Sequence, residues 1–205
     1  MWQFLEFLEN SGFSVMIRET PSVLYYPTVL AFHAFGMAAL VGLSSLIALR
    51  VLGFASGLPL APLEKFYRFI NIGFWVNLAS GLVLLVLSPT TFLVMPLFYI
   101  KLVAIAGALV LVRKLRTSLF DRHAGDNAPV SSEARLLAGS MLFLWAVAIQ
   151  AGRLTAYSFF PIGWQTIIAT TIAVVLVLVA LRIGHRSGAE EKPAQQSKVR
   201  TSTGY

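Results

Sequence analysis

Cysteine is absent from the 205 residues of this chain, and histidine occurs only three times. The lack of thiols excludes disulfides, thiolate metal centres and cysteine nucleophiles. Charge is also scarce, because 12% of the residues are charged whereas 57% are hydrophobic, and the mean hydropathy is +0.76. A soluble domain of this length could not bury so much apolar surface, so the composition predicts an integral membrane protein.

Signatures of several enzyme and transporter classes are missing as well. The sequence contains no G-x-S-x-G, no H-E-x-x-H and no glycine-rich phosphate loop. Its halves show no evident repeat, which argues against a transporter built from inverted repeats. Glu6 and Glu9 stand where a secretory signal peptide carries lysine or arginine, so we expect no cleaved signal.

Long apolar segments dominate what is present. A spanning helix needs about 20 residues, and five segments approach or exceed that length. The start of the third is open, because Pro96 interrupts its apolar run. These segments predict an all-α integral membrane bundle of five transmembrane helices, at about 25–49, 69–88, 97–113, 136–157 and 165–183.

Both ends of the chain differ from this apolar region. Over residues 1–20, apolar side chains alternate with Gln3, Glu6 and Glu9 at helical spacing, which predicts an amphipathic helix lying in the membrane interface. Residues 187–205 lack apolar periodicity and predict a disordered cytoplasmic tail. The predicted organisation is an interfacial helix at 1–20, a five-helix transmembrane domain at 21–186 and a tail at 187–205.

The basic residues predict an orientation. Thirteen of the sixteen lysines and arginines lie around residues 50–68, around residues 113–135 or in the C-terminal segment, whereas 88–96 and 158–164 carry no charge. If five helices span, the three basic regions share one side, and the positive-inside rule makes that side the cytoplasm. We therefore expect a bacterial inner-membrane protein with its N-terminus outside and its C-terminus inside. Its net charge of +7 indicates anionic lipid headgroups, not nucleic acid, as the partner.

Polar residues inside the apolar segments form the candidate site. His33 lies about 12 Å along the first predicted helix. Lys101 lies a few residues into the third, and Arg153 lies about one turn from the outer end of the fourth. Gln150, Arg153 and Tyr157 share one helical face by their i, i+3, i+7 spacing. The predicted topology places all of these residues in the outer half of the bundle.

The two embedded cations, Lys101 and Arg153, need a negative partner, because no acidic residue lies in the five apolar cores. Glu19 is one candidate; lipid phosphate, haem propionates or the polar oxygens of a quinone are others. A haem b is bound by an imidazole ligand in an apolar environment and by cations near its propionates. His33 is therefore the candidate metal ligand. The alternatives are cations that snorkel to the headgroups and a histidine that bonds to a neighbouring helix.

The second predicted helix adds a small, polar stripe of Gly73, Asn77, Ser80 and Gly81 at helical spacing. Small residues let membrane helices approach closely, so we expect this stripe to face protein. The alternative is that Asn77 hydrogen-bonds a ligand.

Several short motifs resemble one group of proteins. "IRETPSVLYYP" followed by His33 and Gly36, then "LRVLG" at 49–53, Lys101 and "AGRLTAY" at 151–157, are similar to small bacterial integral membrane proteins of unknown function that are distantly CopD-like. The resemblance covers roughly residues 5–157 and implies a multi-helix inner-membrane protein. Its members carry an acid shortly before the histidine and a second histidine near the third helix's cytoplasmic end. Here those places hold apolar residues and "VRKLR".

Three function classes are therefore open. The first is a redox subunit that binds one haem b or a quinone in the outer half of the bundle. The second is a non-catalytic accessory subunit of a larger membrane complex, and the third is a CopD-like copper or small-solute permease. In all three the chain is more readily a binding or packing component than an enzyme by itself.

Overall fold

The computed structural model describes residues 2–54, 57–121 and 130–155. All regular elements in these ranges are helical, as predicted, and they contain no strand. The helices are α1 (Trp2–Glu9), α2 (Gly12–Glu19), α3 (Tyr26–Leu52), α4 (Phe66–Leu87), α5 (Pro89–Phe92), α6 (Pro96–Arg116) and α7 (Ser132–Leu154). A 3₁₀ turn at Ala61–Lys65 precedes α4, and a π-helical turn at Thr117–Asp121 follows α6.

Four helical segments in the described ranges are long and apolar enough to cross a membrane. They correspond to the first four predicted spans and run over Tyr26–Leu52, Ala61–Leu87, Pro96–Phe120 and Ser132–Leu154. The predicted fifth span at 165–183, the tail at 187–205 and Tyr157 lie outside the described residues.

Local sequence signals set the helix ends. Pro96 begins α6, where its missing N–H costs no helical hydrogen bond, so this proline starts the third span instead of interrupting it. Ser131 caps α7 by accepting a hydrogen bond from the Ala134 N–H at 3.1 Å. Gly53 ends α3 with a φ of 100°, a left-handed conformation that favours glycine.

The spanning helices pack in the order α4, α3, α7, α6. Helix α3 lies along α4 and α7, and α7 lies along α6. The largest fully buried side chains of the core include Leu40 and Ile47 on α3, Leu115 on α6 and Met141 on α7. This arrangement brings the start of α3 and the end of α4 to the same end of the bundle as the start of α6 and the end of α7.

The prediction of a single helix over residues 1–20 is wrong, because the N-terminal segment contains two helices. It forms α1 and α2, because Ser11 interrupts the helix and its hydroxyl caps α2 by accepting from the Ser14 N–H at 3.3 Å. Ser14 and Ile17 are buried, and these helices contact α4 and α5. The exposed aromatic side chains include Trp2, Phe4, Phe7 and Phe13.

Candidate functional site

Two glycines bring the backbones of α3 and α4 into direct contact. A Cβ atom placed on Gly36 would lie 2.6 Å from the backbone nitrogen of Asn77, and one placed on Gly73 would lie 2.9 Å from the carbonyl oxygen of Gly36. Side-chain carbons do not approach backbone so closely, so both positions require glycine. The prediction that this stripe of α4 faces protein is confirmed, since Gly73 and Ser80 are buried.

His33 lies three residues before Gly36 and faces α4. Its Nδ1 atom lies 3.2 Å from the carbonyl oxygen of Asn77 and 3.2 Å from Oγ of Ser80. The side-chain amide of Asn77 donates in return to the carbonyl oxygen of His33 at 2.9 Å. The interhelical hydrogen bonding expected of a lone membrane histidine is thus confirmed, and the polar side chain of Asn77 ties α4 to α3.

These contacts assign the histidine tautomer. The Asn77 carbonyl can only accept, and the Ser80 hydroxyl already donates to the carbonyl oxygen of Val76 at 2.6 Å, so Nδ1 of His33 carries the proton. The Asn77 amide nitrogen is also 3.4 Å from Nδ1, but it donates at the shorter distance to the His33 carbonyl. In the neutral ring, Nε2 is therefore unprotonated, and its lone pair can accept a hydrogen bond or bind a metal.

Lys101 lies against α7 at a position without a side chain. A Cβ placed on Gly152 would be 3.5 Å from Cδ, Cε and Nζ of Lys101, so the lysine stem lies flat over this glycine. The lysine side chain is half-buried, at the end of the bundle where α3 begins. The convergence of Lys101 and His33 on one pocket stays a prediction. The neighbouring Arg153 is exposed, which agrees with the snorkelling alternative for that cation.

Arg18, the third basic residue at this end, has its own partners. Its guanidinium donates to the carbonyl oxygen of Leu87 at 3.1 Å and pairs with Glu9 at 3.8 Å and with Glu19 at 3.5 Å. Glu9 also accepts hydrogen bonds from the backbone and hydroxyl of Thr90. Glu19 is therefore the ion-pair partner of Arg18. Neither Lys101 nor Arg153 forms an ion pair with an acidic residue in the described part of the chain.

Sequence reasoning missed two features of this region. Gly152 belongs to the motif "AGRLTAY" at 151–157, but nothing in its spacing indicated that the side chain of Lys101 packs on it. The indole N–H of Trp145 is the only buried side-chain polar atom in the described ranges that lacks a hydrogen-bond partner. Trp145 precedes Gly152 by seven residues and so lies on the same face of α7, about 10 Å deeper.

No cluster of metal-ligating side chains surrounds His33 within the part of the chain that the structure describes. Within 2–54, 57–121 and 130–155, no three histidine, aspartate or glutamate side chains are grouped to hold an ion. Met37, one turn from His33 on the same helix, is the nearest methionine in sequence.

Comparison with protein-family models, with curated proteins and with solved structures found no match to this chain. The CopD-like resemblance is therefore neither supported nor opposed by these comparisons.

Proposed function

We propose that the chain is an integral membrane subunit of a redox system that binds the head group of a quinone beside His33. The observation that carries the proposal is the engagement of Nδ1 with Asn77 and Ser80, which leaves Nε2 as an acceptor within an apolar helix. A hydroxyl of the reduced quinol donates to Nε2 of His33, and the Lys101 ammonium donates to the second oxygen of the same ligand. A polar head group on an apolar tail suits a site at this depth in a bundle.

The energetics of Lys101 support a polar ligand at this place. An embedded lysine costs about 2.5–3.5 kcal/mol at the bilayer centre and less towards the edge. Gly152 leaves room for the lysine stem inside the bundle, although a stem pointing to lipid could reach the headgroups. A hydrogen-bond acceptor on the ligand offsets the cost of keeping the ammonium there.

One haem b is the second candidate, and it is favoured by the same ring orientation. Histidine metal ligands commonly donate their second ring nitrogen to a backbone carbonyl, as Nδ1 of His33 does to Asn77. Lys101 and Arg153 then lie at the end of the bundle where propionates would emerge. If haem b were bound, His33 would hold its iron through Nε2, and the group would supply one-electron transfer.

The test is ligand binding by the purified full-length protein in detergent. Binding of short-chain benzoquinone and naphthoquinone in their reduced quinol forms is measured by anaerobic equilibrium dialysis, and the reduced-minus-oxidised visible spectrum reports haem. If the quinol binds, Lys101→Met should weaken binding about 10- to 100-fold, the range for a hydrogen bond that involves a charged group, and His33→Ala about 2- to 10-fold, the range for a neutral one. Met37→Leu, one turn away, is the control and should bind as the parent does.

Each alternative function gives a different result. A reducible Soret band that disappears in His33→Ala would replace the quinone proposal with haem b. Copper that binds stoichiometrically in place of either ligand would favour the permease. Absence of all three ligands, with a monodisperse and helical protein, would overturn the redox proposal in favour of an accessory subunit.

A further inference from the structure

The opposite end of the bundle contains an open cleft that the proposed function does not use. Its volume is about 1040 Å³, and its walls are the first turns of α4 with the preceding 3₁₀ turn on one side and the last turns of α6 on the other. Helices α4 and α6 are not packed neighbours in this bundle, so the cleft is the gap between them.

The rim of the cleft is strongly basic. Four cations line it, namely Lys65, Arg68, Arg113 and Arg116, against the single carboxylate of Glu64. Glu64 pairs with Arg116 at 3.4 Å, which leaves three positive charges that no acidic residue of the described ranges neutralises. Arg68 and Arg113 are exposed and approach the cleft from opposite walls.

Arg116 is held in place from two directions. Besides its ion pair with Glu64, its guanidinium carbon lies 5.7 Å from the centre of the Tyr67 ring, which in turn packs edge-on against Phe120 at 5.9 Å. A guanidinium fixed by a carboxylate and an aromatic face retains free N–H donors. These donors of Arg116 face a ligand at this end of the cleft.

The interior of the cleft is apolar. Ile70 and Phe74 of α4 line one wall, and Leu109 and Val112 of α6 line the other. Phe74 and Leu109 lie one to two turns deeper than Arg68 and Arg113 of the rim. A ligand that fills both parts must carry negative charge on a headgroup and a hydrocarbon chain below it.

We infer that this cleft between α4 and α6 binds an anionic phospholipid, with its phosphate at the basic rim and an acyl chain between the apolar walls. Charge complementarity identifies the occupant: a second copy of this chain would bring the same uncompensated cations to the rim and be repelled. The positive-inside orientation predicted from the sequence places the rim at the cytoplasmic leaflet, which is rich in anionic lipid.

The experiment is native mass spectrometry of the full-length protein released from micelles containing phosphatidylglycerol or phosphatidylcholine. We expect one retained phosphatidylglycerol and no retained phosphatidylcholine. Each cation near an anionic headgroup strengthens binding about fivefold, so Arg68→Gln/Arg113→Gln should weaken lipid retention about 25-fold. Lys114→Gln/Arg135→Gln removes two exposed charges at the same end outside the cleft and should leave retention unchanged.

A second pair of variants tests the acyl-chain part without changing charge. Leu109→Trp narrows the cleft and should reduce retention, whereas Val110→Trp, at a neighbouring position that is 52% exposed and outside the cleft, should not. Equal retention in both charge variants, or of both lipids, would overturn the inference. A homodimer that dissociates in Arg68→Gln/Arg113→Gln would also overturn it, because the occupant would then be a second copy. So would a bound lipid that excess inorganic phosphate displaces and that Leu109→Trp retains as well as the parent does, because the apolar walls would then hold no acyl chain.

Discussion

Replacement of Gly36 by alanine should separate α3 from α4 and disconnect His33. The new Cβ would lie 2.6 Å from the Asn77 nitrogen and 3.0 Å from the Gly73 carbonyl oxygen. An ordinary contact needs at least 3.4 Å, and both obstructing groups are backbone, so the helices must part by about 0.8 Å.

That displacement is large relative to the hydrogen bonds one turn away. The Nδ1 atom of His33 lies 3.2 Å from both of its acceptors, and adding about 0.8 Å takes each distance to about 4 Å, beyond hydrogen-bonding range. Overpacking typically costs about 1–3 kcal/mol, and loss of the interhelical hydrogen bond that the single Nδ1 proton shares between its two acceptors costs about 0.6–1.7 kcal/mol in a membrane. We expect Gly36→Ala to lower the free energy of unfolding by about 2–5 kcal/mol.

The assay is unfolding by dodecyl sulfate in mixed micelles, followed by helical circular dichroism. Gly42→Ala is the matched control, because a Cβ on Gly42, also on α3, meets nothing within 4 Å. The control should be neutral or stabilising by up to about 1 kcal/mol, owing to the better helix propensity of alanine. If Gly36→Ala were as stable as Gly42→Ala, the close contact between these two backbones would be refuted.

Three further predictions concern topology, the N-terminal helices and Lys101. A reporter inserted at Gly57 should be cytoplasmic and one at Thr91 external; the reverse result would contradict the charge-based orientation. Arg18→Gln should increase the rate of proteolysis within residues 2–19 about fivefold, because a partly exposed charged hydrogen bond of about 1 kcal/mol is lost. The control is Glu6→Gln at an exposed site. Equal cleavage rates in the two variants would show that Arg18 does not stabilise the docking of α1 and α2. Gly152→Ala should leave the rate of amine labelling of Lys101 unchanged, since the added carbon makes ordinary 3.5 Å contacts. Gly152→Val should raise that rate, because the larger side chain displaces the lysine stem. Equal labelling in the two variants would refute the packing of Lys101 on Gly152.

Much of the transmembrane fold was predictable, because apolar length and helix periodicity are local properties. The first four spans appear near their predicted positions, and the stripe containing Gly73 faces a neighbouring helix as its small residues indicated. The single helix over 1–20 was wrong because capping by Ser11 outweighed the continuous amphipathic pattern.

The candidate site was less predictable, because it depends on the rotation of helices about their own axes. The predicted topology placed Lys101 and Arg153 in the same outer half of the bundle, but only packing shows that one lies over Gly152 while the other is exposed. Similarly, Glu19 was the nearest acidic candidate on the outer side, yet it pairs with Arg18, which also pairs with Glu9 of a separate helix.

The contacts of Arg18 also set an order on biosynthesis. Its acceptor Leu87 lies 69 residues further along the chain, and Thr90, which donates to Glu9, lies 81 residues beyond that carboxylate. A ribosome therefore releases α1 and α2 long before their partners exist, and they can dock only after α3 and α4 have entered the bilayer as a hairpin. Docking of the N-terminus thus reports that the first two spans have inserted, and nascent chains arrested before Leu87 leaves the translocon should keep that segment open to protease.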